Sequence, residues 1–338
     1  MDMAAMRKKA REEMKGYCRV CPVCDGRVCA GEVPGMGGAG SGQAFMANLE
    51  ALRSIRLNLR TIHGVKKADT SFTFFGHELS MPILAAPMTG VAYNMGGKLA
   101  EDVFIRMIVE GSLAAGTMGT CGDGADAAMY ESGLAAIAAQ GGRGAAFIKP
   151  REQDQVLARI RQAEEAKVAA VGMDVDGAGL ITMALKGQPV GPKNFVEIKE
   201  LADSTTLPFI IKGVMTPDEA QLAVGAGAAA IVVSNHGGRV LDHTPGAAEV
   251  LPAIASKVKG RAVILADGGV RTGADVLKLL ALGADAVLVG RPLAVGAFGA
   301  GAEGVAAILK KMQAELVSAM LLTGTANVRE VSADILAK

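Results

Sequence analysis

The hexapeptide Ser234-Asn235-His236-Gly237-Gly238-Arg239 follows directly on an apolar run, AAIVVSN at 229–235. An imidazole and a guanidinium three residues apart at the end of a buried strand suit one chemistry well. The arginine fork grips a carboxylate at two points, and the histidine removes the proton of a neighbouring hydroxyl. The glycines between them let backbone come close to a ligand. His236 is therefore the candidate base and Arg239 the candidate carboxylate clamp. A lone histidine is more often a satisfied structural residue; the arginine at this spacing argues for a site.

A second group is Ala266-Asp267-Gly268-Gly269-Val270-Arg271, followed by Gly290-Arg291 at the end of another apolar run. The backbone N–H groups of Gly268 and Gly269 can face phosphate oxygens, and Arg271 and Arg291 add positive charge. Lys212, in IIKGV at 210–214, ends a hydrophobic run. An inward ammonium there would stabilise an anionic ring that has taken up electrons, as reduced flavin does.

A third group stands apart. Cys18, Cys21, Cys24 and Cys29 form C-x2-C-x2-C-x4-C. Thiolates this close suit a tetrahedral zinc or an iron–sulfur cluster; the successive x2 spacing of the first three leans toward iron, and the fourth fits neither pattern well. The bland alternative is a redox-labile tail without metal. Cys121, in TMGTCGDG, is separate and is read as a thiol lining the pocket.

These residues need a scaffold. Apolar runs that could be strands lie at 82–87, 112–118, 145–149, 169–175, 208–213, 229–235, 262–267 and 286–290. They are continuous rather than alternating, as strands buried on both faces are. Helix signals lie between them: Thr216-Pro217-Asp218-Glu219 and Thr272-Gly273-Ala274-Asp275 each place a capping hydroxyl before acids in a first turn. Eight strand–helix alternations predict an α/β fold, a (β/α)8 TIM barrel over 44–338. An open doubly wound sheet is the alternative, and no G-x-G-x-x-G follows the first strand. Residues 1–43 read as an N-terminal extension: a charged helix over 1–17, the cysteines, and a Gly-rich linker at 30–43. Residues 44–62 have helical spacing. The first half of 176–207 reads as a loop over the mouth, able to act as a lid, and the second half as a helix.

Loops after the last two barrel strands are the usual phosphate site of such a fold, which matches the second group. Composition narrows the partners. A net charge of +1 points to no nucleic acid. No uncharged apolar run of membrane-spanning length and no secretory h-region are read. The expected location is the cytoplasm.

The block from Ile211 to Thr323 resembles the FMN-dependent 2-hydroxy-acid dehydrogenases and oxidases, such as the glycolate and lactate oxidases. IIKGV, VVSNHGGRVLD, LADGGVRTGADVLKLLALGADAVLVGRP and a late LTG carry the likeness, with NLEALRSIRLNLR and MPILAAPMTG before them. The resemblance implies oxidation of a lactate- or glycolate-like hydroxy acid to the 2-oxo acid by hydride transfer to flavin N5. It also implies residue roles. His236 is the base, Arg239 the carboxylate ligand and Asp174 the acid that orients the histidine. Lys212 lies at the N1 and C2 side of the flavin. Asp267, Gly269, Arg271, Gly290 and Arg291 hold the ribityl and phosphate groups. Pro87, Met88 and Thr89 line the flavin edge, and Ser234 and Thr117 are further candidate FMN contacts. A homo-oligomer is the family expectation.

The chain departs from the pattern at the substrate end. Lys149 stands where the family has a tyrosine on strand three, no tyrosine lies in VPGMGGAGSG, and residues 176–185 hold no arginine. Lys149 is therefore a candidate substitute charge for the substrate, as a point rather than a fork. Two alternatives are an FMN-dependent isomerase like the type 2 isopentenyl diphosphate isomerase, which Lys149 and the Gly-rich loop would suit, and an FMN-binding electron-transfer protein. SNHGGR argues against the isomerase. The electron acceptor stays open among oxygen, a quinone and a protein.

Overall fold

The structure, a computed structural model, describes residues 1–337. Among them the strands are β1 Phe72–Phe74, β2 His77–Leu79, β3 Ile83–Ala85, β4 Gly119–Gly122, β5 Gly144–Ile148, β6 Ala170–Asp174, β7 Phe209–Val214, β8 Ala230–Val233, β9 Val263–Ala266 and β10 Ala286–Val289. The helices are α1 Met3–Glu13, α2 Gln43–Ser54, α3 Val91–Asn94, α4 Glu101–Ala114, α5 Ala127–Ala138, α6 Gln153–Glu165, α7 Ile181–Leu185, α8 Phe195–Asp203, α9 Pro217–Gly225, α10 Ala247–Val258, α11 Gly273–Ala281 and α12 Arg291–Thr323.

β3 to β10 form one parallel sheet in the order β3-β10-β9-β8-β7-β6-β5-β4. This is the predicted (β/α)8 barrel. The seam between its end strands is held by the Ala85 amide on the Met118 carbonyl (3.2 Å). Two threonine hydroxyls help: Thr117 donates to the Ile83 carbonyl (2.5 Å) and Thr120 to the Ala85 carbonyl (2.8 Å). Leu84, Phe147, Ile210, Val232, Leu265 and Leu288 fill the barrel, and Phe72, Phe74 and Leu79 of the antiparallel β1–β2 hairpin belong to the same cluster. The hairpin thus plugs the end where the strands begin and leaves the end where they finish for ligands.

Several expectations need correction. The second barrel strand is Gly119–Gly122; the run at 112–118 lies largely in α4 and the turn after it. Apolar run length alone does not separate a buried helix end from a strand. Thr117 is fully buried at the seam and away from the cavity, so it is not a cofactor contact. Cys121, in β4, is also fully buried outside the cavity wall, and burial pushes its thiol well up. Thr117→Val is therefore expected to leave FMN content unchanged and to lower unfolding free energy by about 1 kcal/mol, the worth of one buried hydrogen bond. A loss of FMN without loss of stability would reverse that assignment.

Residues 1–43 are not a separate appendage. Met6, Ala10, Met14, Val20 and Met36 join the core that the barrel helices share. The Gly-rich stretch is buried from Met36 to Ala39 and is bonded to the barrel, for example by the Ala39 amide on the Gly238 carbonyl (2.8 Å). Its glycines serve a close-packed path rather than a flexible one. The first half of 176–207 is a 3-10 turn (Val175–Gly179) and α7 rather than a plain loop, and α8 is the expected helix. α12 is long and apolar enough to cross a membrane. It is broken at Ala300 and Gly301, and 67% of its most apolar window is buried inside the fold, as in a core helix.

Candidate active site

Strand ends around the open mouth converge on one cavity. Pro87, Met88 and Thr89 follow β3, Lys149 follows β5, Lys212 lies in β7, and His236, Gly237 and Arg239 follow β8. Gly268, Gly269, Asp267 and Arg271 follow β9, and Gly290 and Arg291 follow β10. The structure therefore brings together all the predicted site residues except Asp174, Ser234 and Thr117, which are off the cavity wall, and the four N-terminal cysteines.

Asp174 and His236 are not the bonded pair. His236 Nδ1 lies 3.0 Å from Asp176 Oδ1. Asp174 instead sits between two ammonium groups, Lys149 Nζ at 2.6 Å and Lys212 Nζ at 3.0 Å. The register puts Asp174 directly opposite Lys212 on β7, while Asp176 lies past the strand, in the 3-10 turn. That turn swings the second carboxylate of MDVD toward the β8 loop. Gly213 permits it: its φ is +103°, and a Cβ there would come within 2.6 Å of Asp176 Cγ. The acid behind the histidine is Asp176, not Asp174.

The charges follow from this arrangement. Burial pulls the His236 imidazole below its usual value; Asp176 opposes this, and Lys212 and Lys149 reinforce it. The ring is therefore neutral at neutral pH. Lys212 Nζ also stands 3.4 Å from Nδ1, but its ammonium has Asp174 as its anion. A carboxylate can only accept, so Nδ1 carries the proton toward Asp176 and Nε2 keeps its lone pair. Burial would raise Asp174, but Lys149 and Lys212 hold it far below the carboxylate range. Burial would lower Lys212, but Asp174, Asp176 and Asp267 keep it charged.

Lys149 is consequently not a free charge for a substrate. Its side chain is 7% exposed, and its ammonium is bound to Asp174. Ser234 is fully buried; its hydroxyl accepts from the His236 amide (3.0 Å), and burial raises the Asp267 carboxyl against the pull of Lys212 and Ser234, so Ser234 positions the two rather than facing the cavity. His236 itself is held at φ +58°, in the left-handed region.

Arg239 and Arg291 line the cavity with only neutral partners. Arg239 donates to the Gly35 carbonyl and to Asn94 Oδ1 (2.9 Å). Arg291 donates to the carbonyls of Met36 (2.8 Å), Gly37 (2.9 Å) and Gly237 (3.1 Å), and its guanidinium lies 3.8 Å from the centre of the Phe45 ring. Burial lowers them to about 10 and about 9 respectively. Two buried cations without a carboxylate mark places where anions are wanted. Between them Gly268 and Gly269 have φ of +91° and +79°, with Asn48 packed where a Cβ would be. Successive turn amides of this kind make an anion cradle. Arg271 Nε and Asp267 Oδ1 are buried without a hydrogen-bond partner.

Other contributors were not singled out from the sequence. Tyr93 and Asn94 at α3 line the wall beside Arg239. Asp123, also on the wall, is gripped by Arg151 (2.7 Å) and Arg159 (3.3 Å). Leu180, Thr182 and Met183 of the 176–194 segment line the cavity too. That segment is tied down by Arg151 on Gln188 (2.8 Å) and by the Gly191 amide on the Pro150 carbonyl (2.9 Å). The cysteines line a second cavity behind the arginines and form no disulfide.

The comparisons agree with this geometry. The FMN-dependent dehydrogenase family model matches residues 35–184 and 184–338. A 2-hydroxyacid oxidase of Dictyostelium discoideum is 32% identical, over 86% of this chain and 81% of that protein. An L-lactate oxidase of Lacticaseibacillus rhamnosus is 34% identical, over 87% and 86%. A crystal structure of mandelate oxidase with (S)-2-phenylpropionate superposes with a TM-score of 0.79 at 28% identity, covering 99% of this chain and 97% of that one. On this match of family model, sequence and fold, the chain belongs to the FMN-dependent dehydrogenase family.

Proposed function

We propose that this chain oxidises a 2-hydroxy acid to the 2-oxo acid with FMN as its resident electron acceptor. The observation that carries the reading is the pairing of a neutral, Asp176-held His236 with a buried Arg239 that has no anionic partner, on one cavity wall.

The residues present fit FMN. The Gly268–Gly269 cradle with Arg271 and Arg291 would take the phosphate. The partnerless Asp267 carboxylate oxygen would accept from ribityl hydroxyls. Lys212 would face the electron-rich edge of the ring, and Pro87, Met88 and Thr89 its other edge. When bound, FMN takes up the two electrons that leave the substrate's α-carbon.

The chain's own groups do the rest. Arg239 grips the substrate carboxylate with its fork and so fixes the hydroxyl near His236. Nε2 accepts the hydroxyl proton, and Asp176 steadies the imidazolium that results. Leu180, Thr182 and Met183 keep water from the reacting carbon. Lys149 is held by Asp174 and Arg151 by Asp123, so Arg239 is the guanidinium that serves the carboxylate, with the Tyr93 phenol on the same wall. The diphosphate-isomerase reading loses the support of Lys149, because that lysine is already neutralised.

Anaerobic titration tests the reading. Adding lactate, glycolate or mandelate to the yellow protein should bleach the flavin, with one 2-oxo acid formed per FMN. If dithionite bleaches the flavin but no hydroxy acid does, the reading fails. Arg239→Lys should raise the hydroxy-acid concentration for half-maximal bleaching about tenfold or more, because a bidentate hydrogen bond becomes a point charge. FMN content should not change.

A further inference from the structure

We propose that Cys18, Cys21, Cys24 and Cys29 ligate a four-iron four-sulfur cubane cluster in the cavity behind the phosphate wall of the FMN site. The inference goes beyond the hydroxy-acid reading and does not depend on it. All four thiols line one cavity of about 590 Å³, which shares Met36, Gly269, Arg271 and Arg291 with the active-site cavity. No disulfide joins them.

The spacing of the sulfurs chooses the ligand. Four 2.3 Å bonds to one zinc would draw the sulfurs to about 3.8 Å from one another. Among the described residues, the one group of three or more such ligand atoms within 4.8 Å of one another is Asp174, Asp176 and His236, and the thiols are not drawn together in that way. A cubane, whose four thiolates bind four different irons at its corners, accepts a wider spread of sulfurs than one tetrahedral ion does. The successive x2 spacing of the first three cysteines suits the same cluster.

The surroundings are prepared for it. The loop backbone is fixed by α1. Arg7 donates to the Cys21 carbonyl (2.5 Å), and Arg11 donates to the Val20 carbonyl (3.0 Å). Arg19 pairs with Glu32 (2.7 Å). With the backbone held, the four thiols line the cavity, and among the described residues only that of Cys29 donates to a carbonyl, Gly26 (3.6 Å). Two sulfurs already receive N–H donors: Cys18 from the Val20 amide and Cys24 from Arg271, both at 3.4 Å. Such bonds stabilise cluster thiolates and tune their potential. Four thiolates on a doubly positive core leave a net double negative charge, and Arg7, Arg271 and Arg291 stand on the same wall to meet it. Arg291 thereby belongs to both cavities.

The test uses the full chain, expressed and purified without oxygen, then supplied with ferrous iron and sulfide. Expected are about four irons and about four acid-labile sulfides per chain. A low-temperature paramagnetic resonance signal should appear on dithionite reduction. C21S and C24S should each fall below about one iron per chain while keeping FMN, and C121S should keep its iron. About one zinc per chain without iron overturns the proposal, as does wild-type protein without either metal whose four thiols alkylate freely in the native state. Iron retained in the C21S/C24S double variant also overturns it. If the single variants lose FMN as well, the iron, sulfide and resonance of the wild-type chain decide alone.

Discussion

His236→Ala is expected to slow flavin reduction by a hydroxy acid about a hundredfold or more, the usual loss with a general base, and to leave FMN bound. The ring offers Nε2 because Nδ1 is committed to Asp176 at 3.0 Å. It is neutral because burial, with Lys212 and Lys149 behind it, lowers its pKa against the pull of Asp176. A base works when unprotonated, so reduction should be flat at neutral pH. It should fall as pH drops through a value below the usual histidine value of about 6.5. Asp176→Asn sharpens the test. Removing the carboxylate leaves desolvation and the two lysines unopposed, so the acid limb should move to lower pH. The plateau should still drop about tenfold or more, because nothing then stabilises the imidazolium. Stopped-flow reduction between pH 4.5 and 8 reads both effects. Wild-type rates in His236→Ala would remove His236 from the mechanism, and an unmoved acid limb in Asp176→Asn would remove Asp176 from behind it.

The barrel was legible because its strands are buried on both faces and so print continuous apolar runs. Seven of the eight runs fall on strands. The second failed because the apolar run SLAAGTM belongs to the last turn of α4 and the turn after it, where Leu113 is half-buried and Ala114 exposed, while the true strand, GTCG, has almost no hydrophobic signature. The site was legible where chemistry and position coincide, at His236, Arg239, Lys212 and the Gly268–Arg271 turn. It was not legible where two like residues compete. Asp174 and Asp176 are two apart in MDVD, and only the 3-10 turn after β6 decides which one reaches His236. The cue that was present is Gly213, whose missing side chain makes room for Asp176. Lys149 misled for a related reason: a sequence shows a charge but not its partner 25 residues on. The Gly-rich 30–43 stretch read as a linker because glycine serves flexibility and close packing alike.

Asp174→Ala should be the most destabilising single change at the site, costing about 3–5 kcal/mol, the range for removing one side of a buried ion pair. Asp174 is 1% exposed and neutralises two ammonium groups that are nearly as buried, Lys149 at 5% and Lys212 at 3%. Without the carboxylate, both cations stay in a dry interior or must lose a proton. Adding Lys149→Met to the variant removes one of them and should restore a large part of the loss, whereas Lys149→Met in the wild-type background leaves Asp174 its partner Lys212 and should cost less. The pH dependence has a definite sign. The folded pKa of Asp174 is depressed, so its contribution is complete above the unfolded carboxylate value of about 3.9 and is lost as pH falls below it. The gap in denaturant midpoint between wild type and Asp174→Ala should therefore be widest near pH 7 and narrow below pH 4. Asp174 and Asp176 then separate by readout: the first moves stability, the second the acid limb of the rate. If Asp174→Ala kept wild-type stability and instead shifted the acid limb as Asp176→Asn is expected to, Asp174 would be the histidine's partner and the pairing with Asp176 would have no catalytic meaning.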